Sequence, residues 1–314
     1  MHNRRRRLVV ALGGNALLRR GEPPAIQTQR RMARQAANAL APLARDNELI
    51  ITHGNGPQIG HLALQQQHET ASLLRPLDVL GAETEGLIGY LLELELRRVL
   101  PDHDVATVLT LVEIDPQDPE MHRPTKPIGP IYSAAEWADI SRNTGWPSVP
   151  DGQGVRRAVP SPRPVRMLQH DAIVTLLDAG IVPICAGGGG VPVSMAADDG
   201  PVGVEAVIDK DWTSATLAAA IGADMLIMLT DVDAVYRDWG TPDAEPLTSL
   251  APDQIADMQL PGGTIGPKVQ AAQWFVSSAR YSECGPQNRR AAIGALEAAV
   301  EIANAEAGTQ FGPV

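Results

Sequence analysis

The chain has 314 residues, 44% of them hydrophobic, which is enough to bury the core of one large α/β domain or of two smaller domains. Its formal net charge of −11 argues against nucleic acid or an anionic membrane as a partner, because binding many phosphates requires a broad basic surface. No stretch reaches the roughly 18 apolar residues of a membrane span, and Gly13 and Arg19 interrupt the apolar run after the N-terminal arginines, so a cytoplasmic protein is predicted.

Short apolar runs alternate with longer helical patterns along the chain. The predicted strands are residues 7–12, 48–52, 105–112, 181–186, 204–208, 225–229 and 290–293. The predicted helices are residues 25–45, 57–68, 76–99, 170–179, 212–221, 268–279 and 295–304. Most of the strands read as buried on both faces, which is typical of parallel sheets. The sequence therefore predicts an α/β fold with layers of helices on both faces of a mostly parallel sheet.

The N-terminus and the cysteines give little functional signal. Arg4 to Arg7 are expected to form a solvated tail. Cys185 and Cys284 are too few for a disulfide framework or a metal cluster, which fits a reducing compartment.

Glycine-rich loops follow the first two predicted strands. Gly13-Gly14-Asn15 ends the first strand, and His53-Gly54-Asn55-Gly56 ends the second. Glycines at these places let the backbone approach a ligand and direct N–H groups at an oxyanion, although one Gly-Gly pair alone equally fits a tight turn. Two such loops at the carboxyl ends of parallel strands favour one shared binding crevice. His53 is expected to be part of the loop scaffold and not a base.

Residues 115–165 break the alternation of strands and helices. Ten of the 26 prolines lie in this segment, and little helical periodicity remains. Ile128, Trp137 and Trp146 nevertheless give it apolar side chains to bury. The segment is therefore expected to form an inserted, protruding subdomain or lid, and Lys126 lies within it.

A third glycine cluster, Gly187 to Gly190, follows the strand predicted at residues 181–186. None of the glycine loops matches the P-loop or the dinucleotide-binding pattern, so the charge that binds phosphates would have to come from lysines elsewhere. Asp209-Lys210-Asp211 follows the apolar run at residues 204–208, which places it at the predicted sheet edge. Asp209 is expected to orient two lysines without accepting a proton.

The last motifs lie in the C-terminal third of the chain. Asp231 and Asp233 follow a predicted strand, where they fit a metal site and a capped turn equally well. Tyr236 offers an aromatic face for a nucleotide base. Gly266-Pro267-Lys268 opens a helix, and the dipole of a helix N-terminus favours anions.

Lysine is rare in this chain. Of 26 basic residues only three are lysines, Lys126, Lys210 and Lys268, and each lies in one of these motifs. The compact ammonium of lysine suits a phosphoryl group that moves between partners, whereas the planar fork of arginine suits carboxylates. The pattern indicates phosphoryl chemistry.

Taken together, these motifs closely resemble those of carbamate kinases, in the amino acid kinase superfamily. The matching segments are Ala11–Leu17, His53–Gln58, Pro124–Pro130, Val159–Pro162, Ala186–Gly190, Gly203–Asp211 and Gly266–Lys268. They run in order over about residues 7–309. The Gly-Gly loop indicates only the superfamily, whereas the proline-rich motif around Lys126 and the stretch that ends in Ile-Asp-Lys-Asp are specific to carbamate kinases.

The resemblance implies a three-layer αβα fold in a single domain, residues 1–314, with the small subdomain inserted at residues 115–165. It implies a homodimer that uses Mg²⁺ to interconvert ATP plus carbamate with ADP plus carbamoyl phosphate. Residues 1–180 would form mainly the carbamate side of the site, and residues 181–314 mainly the nucleotide side.

The same resemblance implies roles for individual residues. Lys210 and Lys268 would neutralise the transferring phosphoryl group, Asp209 would organise them, and Lys126 would reach in from the subdomain. The positions that bind substrate and phosphate would be Gly13, Gly14, Asn15, His53, Gly54, Asn55, Gly56, Gly188 and Gly189. The nucleotide positions would be Asp231, Tyr236, Gly266 and Pro267. Mg²⁺ would be bound through the nucleotide phosphates, with no metal ligand from the protein.

Two positions depart from the pattern of the carbamate kinases. Glu83 stands where methionine is expected, and Val155 stands where tryptophan is expected, so the dimer contact or the base of the subdomain is in question. Two alternatives stay open at this point. One is another phosphotransferase of the superfamily, with a carboxylate or phosphate acceptor, and the other is a non-catalytic nucleotide-binding regulator.

Overall fold

The computed structural model describes residues 4–18, 25–66, 73–195, 200–251, 265–278 and 288–313, with the backbone alone at residues 15 and 16. The strands are β1 (Arg7–Leu12), β2 (Glu48–His53), β3 (Val105–Val108), β4 (Leu111–Ile114), β5 (Lys126–Tyr132), β6 (Ser148–Asp151), β7 (Gly154–Val159), β8 (Pro164–Met167), β9 (Val182–Cys185), β10 (Val191–Ser194), β11 (Val202–Gly203), β12 (Met225–Thr230), β13 (Val235–Arg237), β14 (Glu245–Leu247), β15 (Ser249–Leu250), β16 (Arg290–Ala295) and β17 (Thr309–Phe311). The α-helices are α1 (Gly14–Leu17), α2 (Ile26–Asp46), α3 (Gly56–Gln65), α4 (Leu77–Val99), α5 (Ala134–Thr144), α6 (His170–Asp178), α7 (Lys210–Ala220), α8 (Ile265–Ser278) and α9 (Ala299–Ala303). Short 3₁₀ turns occur at Pro119–His122, Gly187–Gly189 and Leu296–Ala298.

The central sheet has the strand order β15-β17-β16-β12-β1-β2-β9-β3 within the described chain. Neighbouring strands run parallel except β16 and β17. Strand β1 is buried on both faces: Leu8, Val10 and Leu12 pack with α2, α4 and α9, whereas Val9 and Ala11 pack with α6, α7 and α8. This packing confirms the predicted three-layer αβα fold.

The predicted elements agree with the observed ones to within four residues over the described chain, with two exceptions. The strand predicted at residues 105–112 is two strands, because the chain leaves the central sheet after β3, and β4 joins a second sheet of order β11-β10-β4-β8. The strand predicted at residues 204–208 is wrong. Val207 packs with one apolar cluster and Ile208 with another, so this buried segment crosses between two cores without a strand partner.

A separate lobe is formed by residues 126–159, which contain β5, α5, β6 and β7. Its three strands make an antiparallel sheet in the order β5-β7-β6. Helix α5 forms although the segment shows little helical periodicity. Ser133 caps this helix through a reciprocal pair of hydrogen bonds with Glu136, while no residue of α5 is buried, which explains the weak periodicity.

The rest of the protein, which is built on the central sheet, is called the body. The lobe joins the body at a close crossing of β5 and α3. A Cβ added to Gly60 would lie 1.9 Å from the Cα of Gly129, so neither backbone leaves space for a side chain there. Gly129 has a φ of +73°, in the left-handed region that glycine adopts readily. Around this crossing a small apolar cluster contains Ile59, Ala63, Leu77, Leu80, Ile128, Val159 and Val207.

The N-terminal arginines do not form a free tail. Arg4 donates to both carboxylate oxygens of Asp224, at 3.0 and 2.9 Å, and Arg6 donates to the side chain of Asn47 at 3.2 Å. Arg7 begins β1 and donates to Glu48 at 2.8 Å. The prediction of a solvated tail is therefore wrong for these three residues, which are bound to the amino-terminal edge of the sheet.

Two further sequence predictions concern membranes and thiols. In the ranges given above, no helix is both long and apolar enough to cross a membrane. Cys185 is a free, buried thiol at the end of β9, and Cys284 lies outside the described ranges.

Candidate active site

The carboxyl ends of β1, β2 and β9 open into a cleft of about 940 Å³ between the central sheet and the lobe. Most of the site residues predicted from the sequence line this cleft. They are Gly13, Gly14, Gly54, Asn55, Gly56, Lys126, Gly188, Asp209, Lys210, Pro267 and Lys268. Residues that are far apart in the chain are therefore brought to one place, as expected for the carboxyl edge of a parallel sheet.

The first two glycine loops lie directly against each other. The N–H of Gly54 donates to the carbonyl of Leu12 at 3.0 Å, which ties the second loop to the end of β1. A Cβ on Gly54 would lie 3.0 Å from the backbone nitrogen of Gly14 and 3.4 Å from Cδ of Lys210. Only a residue without a side chain allows this approach, so the two loops and Lys210 form one continuous wall of the cleft.

The third glycine loop has an unusual backbone. Gly188, Gly189 and Gly190 have φ values of +68°, +97° and +80°. A Cβ on Gly188 would lie 2.1 Å from Nδ2 of Asn55, so the side chain of Asn55 packs directly on this loop. Three successive left-handed residues require glycine, which explains the glycine run in the sequence.

The cleft lysines of the body lie at the starts of two helices. Lys210 is the first residue of α7, which Asp209 caps by accepting the N–H of Asp211 at 3.0 Å. Lys268 lies in the first turn of the described part of α8. Both lysines bond to one carboxylate, since Oδ1 of Asp211 lies 2.5 Å from Nζ of Lys210 and Oδ2 lies 3.0 Å from Nζ of Lys268.

Asp209 and Asp211 have different lysine partners. The carboxylate of Asp209 accepts from Nζ of Lys126, the lysine of the lobe, at 2.6 Å, and its charge also acts on Lys210 and Lys268. Asp211, which was not among the predicted site residues, joins the two body lysines instead.

The charges in the cleft shift one another's pKa values. Burial opposes ionisation of Asp209, but Lys126, Lys268 and Lys210 together hold its pKa well below the usual range. Burial lowers the pKa of Lys210, and the nearby charge of Lys268 adds to this effect. Burial also acts on Lys268, but Asp211 and Asp209 raise its pKa overall. Lys126, Lys210 and Lys268 thus lie at the cleft together with the carboxylates of Asp209 and Asp211.

His53 lies beside the cleft but is not suited to act as a base. It is fully buried at the end of β2, and burial lowers its pKa to about 4. Its Nδ1 lies 3.3 Å from the carbonyl of Gly54, the next residue. These contacts fit the expected role of His53 as a scaffold of the loop.

The other predicted residues are not among the described residues that line the cleft. Asn15 lies in α1, and its side chain is not described. Gly189 is buried behind Gly188, and Gly266 lies in the first turn of α8. Asp231 follows β12, where its charge contributes to the raised pKa of Lys268. Tyr236 lies in β13 and donates its hydroxyl to Asp233 at 3.0 Å.

Arg163 and Trp212 also line the cleft, and neither was among the predicted site residues. Arg163 lies between β7 and β8, and its guanidinium stacks on the ring of Trp212, 3.4 Å from the ring centroid. Trp212 lies two residues after Lys210 and packs against Trp274 of α8. No sequence pattern around Arg163 reveals a stacking partner in another helix.

Comparisons with known proteins agree with this architecture. The model of the Amino acid kinase family matches residues 6–281 of the chain. The carbamate kinase of Rhizobium meliloti is 47% identical over 306 residues, covering 96% of this chain and 92% of its own length. The carbamate kinase of Escherichia coli K12 is 46% identical over 302 residues, with 96% and 98% covered.

Solved structures give the same result. Carbamate kinase from Giardia lamblia bound to citric acid superposes with a TM-score of 0.88 at 32% identity and covers 98% of both chains. Sequence and fold therefore agree over nearly the whole length.

Proposed function

The chain belongs to the amino acid kinase family and within it to the carbamate kinases, ATP:carbamate phosphotransferases, and from this premise we propose which residues perform the phosphoryl transfer. Lys210 and Lys268 neutralise the phosphoryl group in transit, and Asp211 holds both at the start of their helices. The observation that supports this proposal is the single buried carboxylate bonded to both lysines.

The chemistry requires few protein groups. Carbamate is already an anionic nucleophile, so no general base has to remove a proton before it attacks phosphorus. The protein then acts by positioning the two substrates and by stabilising the charge that develops on the transferring oxygens. Glycine-loop N–H groups and lysines supply such stabilisation, and a buried neutral His53 is not needed as a base.

We propose that carbamate, or the carbamoyl end of carbamoyl phosphate, binds between the loops at residues 13–15, 53–56 and 188–189. These loops belong mainly to the first 180 residues, which form the carbamate side of the site. The position of Gly54 and Gly188 in the lining of the cleft supports this placement, because a glycine lets a ligand approach the backbone closely.

Lys126 acts through closure of the lobe. It lies on β5, outside the main sheet, and its ammonium reaches Asp209 across the cleft at 2.6 Å. The proposed lid is the segment 115–165, which includes the lobe. Closing it brings a third positive charge to carbamoyl phosphate as it binds, and it excludes water from the cleft.

The nucleotide is proposed to bind on the side formed by residues 181–314, near Asp231, Tyr236, Gly266 and Pro267. Mg²⁺ enters with it as the complex of the nucleotide phosphates. No group of three or more candidate metal ligands occurs among the described residues, and Asp209 and Asp211 are each bonded to lysine. Because ATP and carbamoyl phosphate are charged metabolites, we also propose that the enzyme works in the cytoplasm.

A homodimer is proposed through the outer face of α4. Val79, Leu87 and Tyr90 are exposed on one side of this helix and form an apolar stripe without cover from the described chain. Glu83 lies on the same side and pairs with Arg75 at 2.9 Å, so its departure from the sequence pattern falls on this surface. Leu87→Glu is expected to shift the protein from dimer to monomer in sedimentation measurements, and an unchanged mass would contradict this proposal.

The test of the proposed site is ATP formation from carbamoyl phosphate and MgADP, with the wild type beside Lys210→Ala. Loss of the ammonium is expected to lower kcat by about 10²–10³, which is typical for one preorganised charge at a transferring group. Arg142→Ala removes a cation from the exposed face of α5 and is the matched control. Equal rates for the wild type and Lys210→Ala would contradict the proposed site.

A further inference from the structure

One turn of α4 lies beneath the cleft and contacts two of its loops. Thr84 and Glu85 point inward from this turn and are almost completely buried, with 0% and 1% of their surface exposed. Thr84 contacts the loop after β2, and Glu85 contacts the loop after β9. Two polar side chains buried side by side in a helix need a reason, since burial of polar groups is costly unless they are bonded.

Thr84 determines the orientation of the Asn55 side chain. Its hydroxyl lies 2.8 Å from the carbonyl of Leu80 and 3.0 Å from that of Gly81, and it donates its proton there. The oxygen is then only an acceptor, and it accepts from Nδ2 of Asn55 at 2.8 Å. The amide of Asn55 is thus fixed with its nitrogen toward α4.

Glu85 holds the third glycine loop. Its Oε1 accepts from the N–H of Gly187 at 2.9 Å. A Cβ on Gly187 would lie 2.4 Å from the ring of His53 and 2.8 Å from Cγ of Glu85, so the backbone is packed tightly between them. The next contact of this loop is at Ala186, whose N–H donates to the hydroxyl of Thr110 at 2.8 Å.

The two loops also contact each other. The amide of Asn55 occupies the space where a side chain on Gly188 would lie, with its Cγ 2.2 Å from that position. Asn55 is therefore held between Thr84 on one side and Gly188 on the other. A shift of either loop relative to α4 moves the other loop with it.

We propose that Thr84 and Glu85 are positioning residues for carbamoyl phosphate, which fix Asn55 and Gly188 at the spacing that the substrate requires. The inference rests on the proposed binding of carbamoyl phosphate between these loops. Neither residue is among the described cleft-lining residues, so both act through the loops that they hold. No hydrogen bond joins either residue to Lys126, Lys210 or Lys268 in the described chain. Replacing Thr84 or Glu85 is therefore expected to weaken the binding of carbamoyl phosphate and not that of ADP.

The first experiment compares Thr84→Val with Thr84→Ser in the synthesis of ATP from carbamoyl phosphate and MgADP. Valine keeps the shape of threonine but offers no acceptor to Asn55. The KM for carbamoyl phosphate is expected to rise about tenfold, which corresponds to one lost hydrogen bond, while the KM for ADP stays within about twofold. Serine keeps the hydroxyl and is expected to restore the KM.

Glu85 is tested in the same assay with Glu85→Leu and Glu85→Gln. Glutamine keeps the oxygen that accepts from Gly187, so it is expected to leave the KM for carbamoyl phosphate near that of the wild type. Leucine removes that acceptor and is expected to raise this KM about tenfold or more. A KM does not depend on the fraction of folded enzyme, so partial misfolding of one variant does not hide the result.

A third variant, Asn55→Ala, separates failure of this inference from failure of the proposed site. An unchanged KM for carbamoyl phosphate in Asn55→Ala would overturn the placement of the substrate and the inference with it. A raised KM in Asn55→Ala, together with unchanged values in Thr84→Val and Glu85→Leu, would overturn the inference alone. Equal rises in the KM values of both substrates would likewise overturn it, because a general distortion has no preference for carbamoyl phosphate.

Discussion

The body and the lobe hold their lysines in different ways. Lys210 and Lys268 are 8% and 4% exposed, lie at helix starts and share the carboxylate of Asp211. Lys126 lies on a small sheet, its side chain is 21% exposed, and its bond to Asp209 spans the cleft. In the proposed mechanism, the charges that meet the phosphoryl group at a fixed point are buried in the large core, whereas the charge that closes the site is carried on a small, separately packed sheet.

Arginine substitutions should separate the two regions most strongly. Lys268→Arg places a larger, planar group in a nearly closed pocket against Asp211, and we expect kcat to fall about 10²-fold. Lys126→Arg has room at the cleft and is the matched control, with an expected loss of less than about tenfold. Steady-state rates of ATP formation check both, and equal losses would remove the distinction between body and lobe.

The buried carboxylate of the body should also matter for stability. Asp211→Asn leaves two ammonium groups without their shared counter-charge, and we expect the free energy of unfolding to fall by about 3 kcal/mol. Asp171→Asn, at an exposed carboxylate of α6, should change it by less than about 0.5 kcal/mol. Urea unfolding measures both, and a stable Asp211→Asn protein would show that the lysines do not depend on Asp211.

The contributions of Glu85 in the body and Glu136 in the lobe to the free energy of unfolding should change with pH in opposite directions. Burial raises the pKa of Glu85 in the body to about 8, so the folded state keeps a proton that the unfolded state loses above about pH 4.5. Its contribution to stability is therefore lost as pH rises toward 8, by about 2 kcal/mol between pH 6 and 8. In the lobe, the bonds from Ser133 lower the pKa of Glu136, so its contribution is lost as pH falls.

Glu85→Gln tests the predicted loss of stability between pH 6 and pH 8, because glutamine does not ionise. The difference in free energy of unfolding between this variant and the wild type should grow from pH 6 to pH 8 in urea titrations. His53 is common to both proteins, so its own ionisation cancels in the difference. A difference that does not change with pH would mean that Glu85 is already ionised in the folded protein.

A substitution at the contact between α3 of the body and β5 of the lobe is expected to have the smallest effect on the enzyme. Gly60→Ala places a methyl group 1.9 Å from the Cα of Gly129, which pushes β5 away from α3. The KM for carbamoyl phosphate should rise about tenfold, with a smaller change for ADP. Gly86→Ala, in an open position of α4, is the control and should leave both values unchanged. A Gly60→Ala enzyme with normal constants would show that the lobe position does not affect the substrate.

Periodicity was enough to predict the layers of the body. Strands such as β1 alternate between two helix layers, and buried runs of that kind are visible in one sequence. The lobe was harder to predict. Helix α5 buries none of its residues, and its signal is the capping pair Ser133 and Glu136, not a hydrophobic stripe.

The site was partly predictable for similar reasons. The glycine loops and the three lysines were recognised as motifs, because their chemistry lies in residue type and order. The choice between Asp209 and Asp211 was not predictable, since it depends on which carboxylate caps α7. Thr84 and Glu85 contact the loops from a helix about 30 and 100 residues away in sequence, and no local pattern reveals such a contact.

In the proposed mechanism, Lys126 acts through closure of the lobe, whereas Lys210 acts on the transferring phosphoryl group. The most direct test is ATP formation at saturating carbamoyl phosphate and MgADP, measured for Lys126→Ala and Lys210→Ala side by side. If Lys126 acts through closure of the lobe, high substrate should restore most of the rate of Lys126→Ala, while Lys210→Ala should stay about 10²-fold or more below the wild type. Equal, unrestored losses in the two variants would contradict the account.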